Sequence, residues 1–452
     1  MLPYPRDQAN SVLDREGFAR VLLVVPRIHG GEFHICPGLG IYVVAALTPP
    51  DIDLTVVDEN HRRIDFGAGY DLVGITAMTA AAPRAYAIAD RFRRRGTPVV
   101  LGGFHPSLMP DEAIAHADAV VIGEAEEIWP QLLADLAANR MQRFYRRDAL
   151  PDLAGTPVPR RDLMQRSAYL VPNTIETGRG CPFRCNFCSV TTLFGHHYRF
   201  RPVAEVVSEV KNLPGKLMFI ADDNCVGSLP RARELFAGLI PCGKRWVGQA
   251  SLNLARDNKL LKLAARSGCI GLFVGFESVS EHSLKEAGKL HNDVKRYIDD
   301  VQRIRDHGIA VHGAFIFGFD SDDEGVFDKT IDFVRRSHID SASFSTLTPF
   351  PGTPVFSRLE AEGRLLTRDW SRYGGAVFQP KLMSVEALEQ GCRRAWRECY
   401  SPGSLVGRLW PPKRYFQIHT VLNLMWALSV VAEDAGQWLR PRARLEPLAA
   451  PG

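Results

Sequence analysis

The chain lacks a marked excess of either charge: 55 Lys and Arg stand against 51 Asp and Glu, a net +4 over 452 residues. A nucleic-acid-binding protein concentrates basic residues on one face or arm. Here the arginines fall in short separate groups, Arg93 to Arg95, Arg160 with Arg161 and Arg393 with Arg394, which suit solvated helix faces, so no nucleic-acid partner is expected. Long apolar runs are also lacking. The uncharged stretch FQIHTVLNLMWALSVVA, Phe416 to Ala432, is broken by Gln, His, Thr, Asn and Ser and falls short of the roughly 20 apolar residues of a spanning helix. It reads first as a buried helix. Its second reading is an interfacial helix making a peripheral membrane contact, with Lys413, Arg414, Arg440, Arg442 and Arg444 flanking it. The opening MLPYPRDQANSVLDREG has no charged-then-apolar leader, so a cytoplasmic location is expected. Nine cysteines, six of them scattered as Cys36, Cys225, Cys242, Cys269, Cys392 and Cys399, argue against a disulfide framework and fit a reducing compartment. Neither G-x-G-x-x-G nor G-x-x-x-x-G-K-[ST] follows the first predicted strand, which removes the common nucleotide-binding readings.

What is present is a twofold α/β pattern. Apolar runs at Arg20 to Val25, Leu54 to Val57, Leu72 to Thr76, Val99 to Leu101 and Ala119 to Ile122 alternate with helical stretches near 39 to 47, 83 to 95 and 125 to 137. This predicts a doubly wound, Rossmann-like parallel sheet over residues 20–137, after an N-terminal extension of residues 1–19. Ligands of such sheets sit at the carboxyl ends of the strands. The residues to inspect there are Asp58, Thr76 to Thr79, the run Gly102, Gly103, Phe104, His105, Pro106, Ser107, and Gly123 with Glu124. Residues 138–173, rich in proline and arginine, read as a linker. Strands near 174 to 178, 216 to 221, 245 to 250, 270 to 275, 310 to 317 and 342 to 347 then alternate with helices, an incomplete (β/α)6 barrel over 174–355. A mainly helical cap, residues 356–452, follows, with an amphipathic helix over Ser384 to Tyr400.

The most specific feature is GRGCPFRCNFCS, which sets Cys181, Cys185 and Cys188 at CxxxCxxC spacing directly after the first barrel strand, at the end where barrel active sites are built. Three thiolates on a short loop can hold a [4Fe-4S] cluster and leave the fourth iron open to another molecule. Zinc usually takes CxxC pairs with a fourth Cys or His, for which His196 and His197 stand nearest. The triplet, with the aromatic Phe187 ahead of its last cysteine, resembles the signature of the radical S-adenosylmethionine (SAM) enzymes. The segments PRIHGGEFHICPGLGIYVVAAL, VVLGGFHPSLMPDEAI and DAVVIGEAEEIWPQLL resemble the cobalamin-binding domain that precedes the radical core in one branch of that family. DDNCVGSLPRARELF and TPFPGTPVFSRLEAEGRL are similar to the branch that contains the hopanoid methylases.

The resemblance implies SAM contacts at the barrel strand ends: backbone near Ile220 and Ala221, or Asp222 and Asp223, on the methionine amino group; Ser251 on the carboxylate; Glu277 on the ribose; Phe315 and Phe317 beside adenine. Cobalamin domains that ligate cobalt carry Asp-x-His-x-x-Gly, which this domain lacks, so His29, His34, His61, His105 and His116 are poor axial ligands and a base-off cobalamin is implied. His105 remains a candidate corrin contact. In such enzymes a 5′-deoxyadenosyl radical takes a hydrogen from the substrate, which then receives a methyl group from methylcobalamin; an external donor such as flavodoxin or ferredoxin supplies electrons. The expectation is a C-methyltransferase acting on an unactivated carbon of a small-molecule or lipid-like substrate. A radical cyclase or rearrangement enzyme is the alternative, and a cobalamin and iron–sulfur sensor or scaffold the non-enzymatic one. Methylthiotransferases carry three further cysteines in the N-terminal domain, where this chain has only Cys36. No catalytic side chain is assigned, and Tyr198, Arg199, Trp370 and Tyr373 are substrate contacts by position only.

Overall fold

In the computed structural model the described residues are 20–28, 36–409, 420–421, 423–428 and 430–431. The N-terminal extension, His29, His34 and the basic residues Lys413, Arg414, Arg440, Arg442 and Arg444 lie outside them. The chain divides into two compact units, one of residues 1–179, 192–213 and 369–372, the other of residues 180–191, 214–368 and 373–452.

The first unit is built on a parallel sheet of β1 (Arg20–Val25), β2 (Asp53–Asp58), β3 (Leu72–Thr76), β4 (Val99–Gly102), β5 (Ala119–Ile122) and β6 (Phe144–Arg146), in the order β2-β1-β3-β4-β5-β6. The β-branched run of β1 is buried along Val21 to Val24, as a strand covered on both faces must be. Helices α1 (Gly40–Leu47), α2 (Ala82–Arg93), α3 (Phe104–Leu108), α4 (Pro110–His116) and α5 (Ile128–Ala137) connect the strands. Strand order reverses beside β1, which places the ligand crevice at the carboxyl ends of β1 and its neighbours. The stretch expected as linker differs from expectation by contributing β6, and it is packed as a strap: Arg161 donates to the Thr174 carbonyl (2.6 Å) and pairs with Glu209, which also holds Arg201. Short strands β7 (Thr174–Ile175), β8 (Gly178–Arg179) and β9 (Arg199–Phe200) and helices α6 (Ser189–Phe194) and α7 (Val203–Asn212) follow, β8 pairing antiparallel with β9.

In the second unit β10 (Leu217–Ile220), β11 (Arg245–Ala250), β12 (Cys269–Glu277), β13 (Ala310–Phe317) and β14 (Ser341–Thr346) pair parallel in sequence order. Between them run α8 (Leu229–Leu239), α9 (Asn258–Arg266), α10 (Glu281–Glu286), α11 (Tyr297–Asp306) and α12 (Gly325–Ser337). Side chains alternate across a strand. One face therefore packs on the helices, with Phe276 against Tyr297 and Phe333 and Trp246 against Phe236. The opposite face carries Phe219, Phe273 and His312 in ring contact. After α13 (Pro354–Ala361), the amphipathic helix forms as α14 (Val385–Cys399), capped by Ser384, whose Oγ accepts from Ala387 N at 3.0 Å. A short helix, α15 (Pro402–Leu409), comes next. No helix among the described residues is long and apolar enough to cross a membrane.

Candidate active site

The cysteine loop belongs to the second unit, and Cys181, Cys185 and Cys188 are partly exposed thiols in no disulfide. Asn186 anchors it: its N donates to Ala287 O (3.0 Å), its Nδ2 to Glu286 O (2.6 Å), and its carbonyl accepts from Val355 N (3.2 Å). Gly180 enters the loop at φ 86° and donates its N–H to Asp223 Oδ2 at 2.9 Å. A Cβ on Gly288, at φ 70°, would lie 2.6 Å from the Arg184 carbonyl, so glycine is what lets the 287–289 turn approach the loop. Phe183 stacks on His291 at 3.5 Å, and Phe187 meets Phe319 edge-on at 6.3 Å.

Burial pushes the Cys185 thiol up to about 12, against the opposing charge of Lys289 and with the other two thiols adding to the rise. Cys181 is raised too, by burial first. Such thiols give up their protons on binding metal. Among the described residues no three His, Cys, Asp or Glu side chains close on a single-ion position, and His196 and His197 are exposed. Three cysteine sulfurs along a loop are the donor set of an iron–sulfur cluster, and the residues fit one.

The strand ends around the loop are unevenly poised for a ligand. Ser251, just after β11, has a buried Oγ without a hydrogen-bond partner, which leaves it open to one from a bound molecule. Ala221 is half-buried, Asp222 is buried, and Asp223 is engaged with Gly180. Asn224, which the sequence reading passed over, brings its Nδ2 to 3.9 Å from Cys181 Sγ, while its Oδ1 accepts from Ser251 N at 3.2 Å. Its signal in the sequence is the polar run Asp222, Asp223, Asn224 at a strand end.

Glu277 ends β12 at φ 61°, beyond a register shift against β13 between Gly275 and Glu277. A left-handed non-glycine residue costs about 1–3 kcal/mol and marks sites whose surroundings enforce it. Asn292 Nδ2 enforces it here, donating to the carbonyls of Gly275 and Phe276 at 3.1 Å each, together with the Tyr297 hydroxyl on Phe276 O at 3.1 Å. The Glu277 carboxylate pairs with Lys289, a second residue the sequence reading missed. Burial pulls the Lys289 ammonium down, but Glu277 holds it above the ordinary lysine range. Nothing in the local pattern of KEAGKLHN distinguishes this lysine from solvent-facing ones.

Phe315 and Phe317 are a correction. Phe315 stacks on Phe276 and Phe344 and meets Phe333 of α12; Phe317 packs on Phe327 of the same helix. Both lie in the helix-covered layer, 1 % exposed, and the strand alternation turns Ala314 and Ile316 the other way.

In the first unit, Thr76, Gly102, Gly103, Ser107 and Gly123 come together at the ends of β3, β4 and β5. Ser107 Oγ donates to Gly103 O (2.7 Å) and accepts from Gly123 N (2.9 Å). Gly103 sits at φ 91°, where a Cβ would meet Thr76 Oγ1 at 2.6 Å. At Gly123, φ 89°, a Cβ would find nothing within 4 Å, so its backbone faces open space that a cofactor can approach. These residues fit cobalamin approaching the strand ends at Gly123.

Other expected contacts are turned elsewhere. His105 is fully buried, its Nε2 3.1 Å from the Tyr86 hydroxyl and its ring edge-on to Trp370, so it is no surface for a corrin. Pro106 is buried beside it. Asp58 accepts from the Tyr169 hydroxyl at 2.6 Å and lines a cavity of about 380 Å³ with Tyr42, His61 and Met164; β2 lies across β1 from the glycine loops. The Glu124 carboxylate is bound by Arg179 and Arg199. Of the positional substrate contacts, Arg199 is held by Glu124, and Trp370 and Tyr373 are buried, with Trp370 Nε1 donating to Glu112 at 2.7 Å.

Residues 175–334 match the radical SAM superfamily, residues 35–133 the B12 binding domain and residues 353–420 a domain of unknown function. The bacteriochlorophyllide d C-12(1)-methyltransferase of Chlorobaculum tepidum is 34% identical over 82% of this chain and 84% of its own length. The C-8(2)-methyltransferase of the same organism is 33% identical, over 83% and 89%. The hopanoid C-2 methylase of Rhodopseudomonas palustris is 28% identical, over 82% and 72%. In fold, the chain is similar to the radical SAM methyltransferase TsrM of Kitasatospora setae, solved with cobalamin and a [4Fe-4S] cluster, with a TM-score of 0.69 at 18% identity over 92% of this chain and 100% of that one. With the cysteine loop in one unit and the glycine-bearing strand ends in the other, the chain belongs to the cobalamin-dependent radical SAM methyltransferases, with a [4Fe-4S] cluster, SAM and cobalamin as cofactors.

Proposed function

We propose that the chain methylates an unactivated carbon of a large, mostly apolar ring-bearing small molecule, the class that spans the chlorin and hopanoid substrates in its relatives' names. The observation that carries this reading is the 34% identity along 84% of a chlorin methyltransferase. When bound, the cluster supplies the electron that cleaves SAM to a 5′-deoxyadenosyl radical, and cobalamin supplies the methyl group. Cys181, Cys185 and Cys188 hold the cluster, and Asn186, Asn224 and Asp223 fix their loop. Ser251 donates its hydroxyl to the SAM carboxylate, the backbone at Ala221 meets its amino group, and Glu277, held by Lys289, accepts from the ribose hydroxyls. Thr76, Gly102, Gly103, Ser107 and Gly123 form the rim on which the corrin rests, Ser107 keeping the two glycine loops in register. A reduced flavodoxin or ferredoxin is the electron donor.

The test is anaerobic reconstitution with iron, sulfide, hydroxocobalamin, SAM and dithionite, with bacteriochlorophyllide d as substrate. Expected are 5′-deoxyadenosine and S-adenosylhomocysteine in equal amounts and a product heavier by one methylene. Cys185→Ala loses the cluster absorbance and both SAM products. Formation of 5′-deoxyadenosine without S-adenosylhomocysteine, across chlorin and polycyclic lipid substrates, would refute methyl transfer.

A further inference from the structure

We propose that the outward face of the C-terminal helical segment is a docking surface for an anionic lipid bilayer. The described residues of 420–431 are helical. One side is fastened to the second unit: Asn423 is 1% exposed and its Nδ2 donates to Asp340 O at 3.0 Å, while Trp426 stacks over His312 at 5.9 Å and packs on Trp396 at 5.3 Å. The other side presents Val421, Leu424, Leu428 and Val431, exposed by 45%, 48%, 68% and 65%. Their spacing places all four on one helical stripe, an apolar row where a soluble surface carries polar residues. The expectation of a wholly buried helix is thereby corrected for the described part.

Charge decides what covers the stripe. Residues 410–444 carry Lys413, Arg414, Arg440, Arg442 and Arg444 against only Glu433 and Asp434, and Trp410, Tyr415 and Trp438, types that settle at membrane interfaces, flank the apolar stretch. A second copy of the chain carries the same excess of basic residues and offers them no counter-charge. An anionic bilayer neutralises them. An apolar helix face and basic residues flanking it in sequence are together the two signals that stable peripheral binding requires.

The experiment uses the full chain reconstituted with cluster and cobalamin, sedimented with phosphatidylcholine vesicles with and without phosphatidylglycerol. Binding is expected to the anionic vesicles and to fall with salt, each basic residue near the surface being worth about fivefold. Leu424→Glu with Leu428→Glu should cut bound protein at least about tenfold. Both positions are exposed, so cluster absorbance and 5′-deoxyadenosine formation should be unchanged. Lys413→Gln with Arg414→Gln should weaken binding by about 25-fold on the same scale. Equal binding of the wild type and the leucine variant, equal binding to neutral vesicles, or a solution dimer that the leucine variant dissociates would each overturn the proposal. No substrate enters the measurement, so it stands apart from the test of methyl transfer.

Discussion

Ser251 holds a buried hydroxyl that no protein group satisfies, and such a group costs stability until its partner arrives. Ser251→Ala should therefore leave the SAM-free protein as stable or stabilise it by about 1 kcal/mol, while losing a hydrogen bond to a carboxylate worth about 1.5–3 kcal/mol and raising the Kd for SAM at least about tenfold. Urea denaturation without SAM and a binding titration check the two halves; a variant that loses stability while keeping its affinity would place Ser251 in the scaffold. The cysteines were readable because their spacing is itself the chemistry. Phe315 and Phe317 were not, because an apolar strand reads the same in either phase and only the helix-borne Phe333 and Phe327 settle which face they share. His105 and Glu124 follow the same logic: their places at strand ends were legible, but the partners that consume them, Tyr86 and the arginines Arg179 and Arg199, lie far away in sequence.

At the scale of elements, the sheet strands stood out as runs of β-branched residues bounded by polar turns. β6 did not, since only Tyr145 of its three residues is buried and backbone pairing with β5 holds it. β13 carries a test of burial. Burial, aided by the charge of Arg408, holds His312 down at about 4, below its ordinary value of 6.5, with its ring nitrogens 2.8 and 3.0 Å from the hydroxyls of Ser341 and Ser343. The unfolded chain takes up that proton first, so stability is full above the ordinary histidine value and is lost as pH falls toward 4. Between about pH 7.5 and about pH 5 the wild type should lose about 2 kcal/mol more than His312→Gln. Equal losses in the two proteins by urea titration would show that His312 protonates in place.

For the molecule as a whole, cofactors that bind only folded protein stabilise it by mass action. Hydroxocobalamin at about a hundred times its Kd should add about 2.7 kcal/mol to the first unit. Gly103→Ala, which forces a Cβ against Thr76, should abolish that increment, as read by calorimetry with and without the cofactor. The order of the domains was legible because each repeats its own strand–helix rhythm. Their makeup was not: the first unit borrows residues 192–213 and 369–372 from beyond the cysteine loop, and contacts between distant segments leave no local trace.

The borrowed turn at 369–372 has an evolutionary corollary. Trp370 covers His105 and binds Glu112, so the B12-binding half is finished by four residues encoded more than two hundred codons downstream of it. A recombination event that swapped the front of the gene between relatives would have to keep the positions of His105 and Glu112 matched to the indole that closes over them. The front half and its closing turn are thus expected to change together, which comparison of these positions among relatives would check.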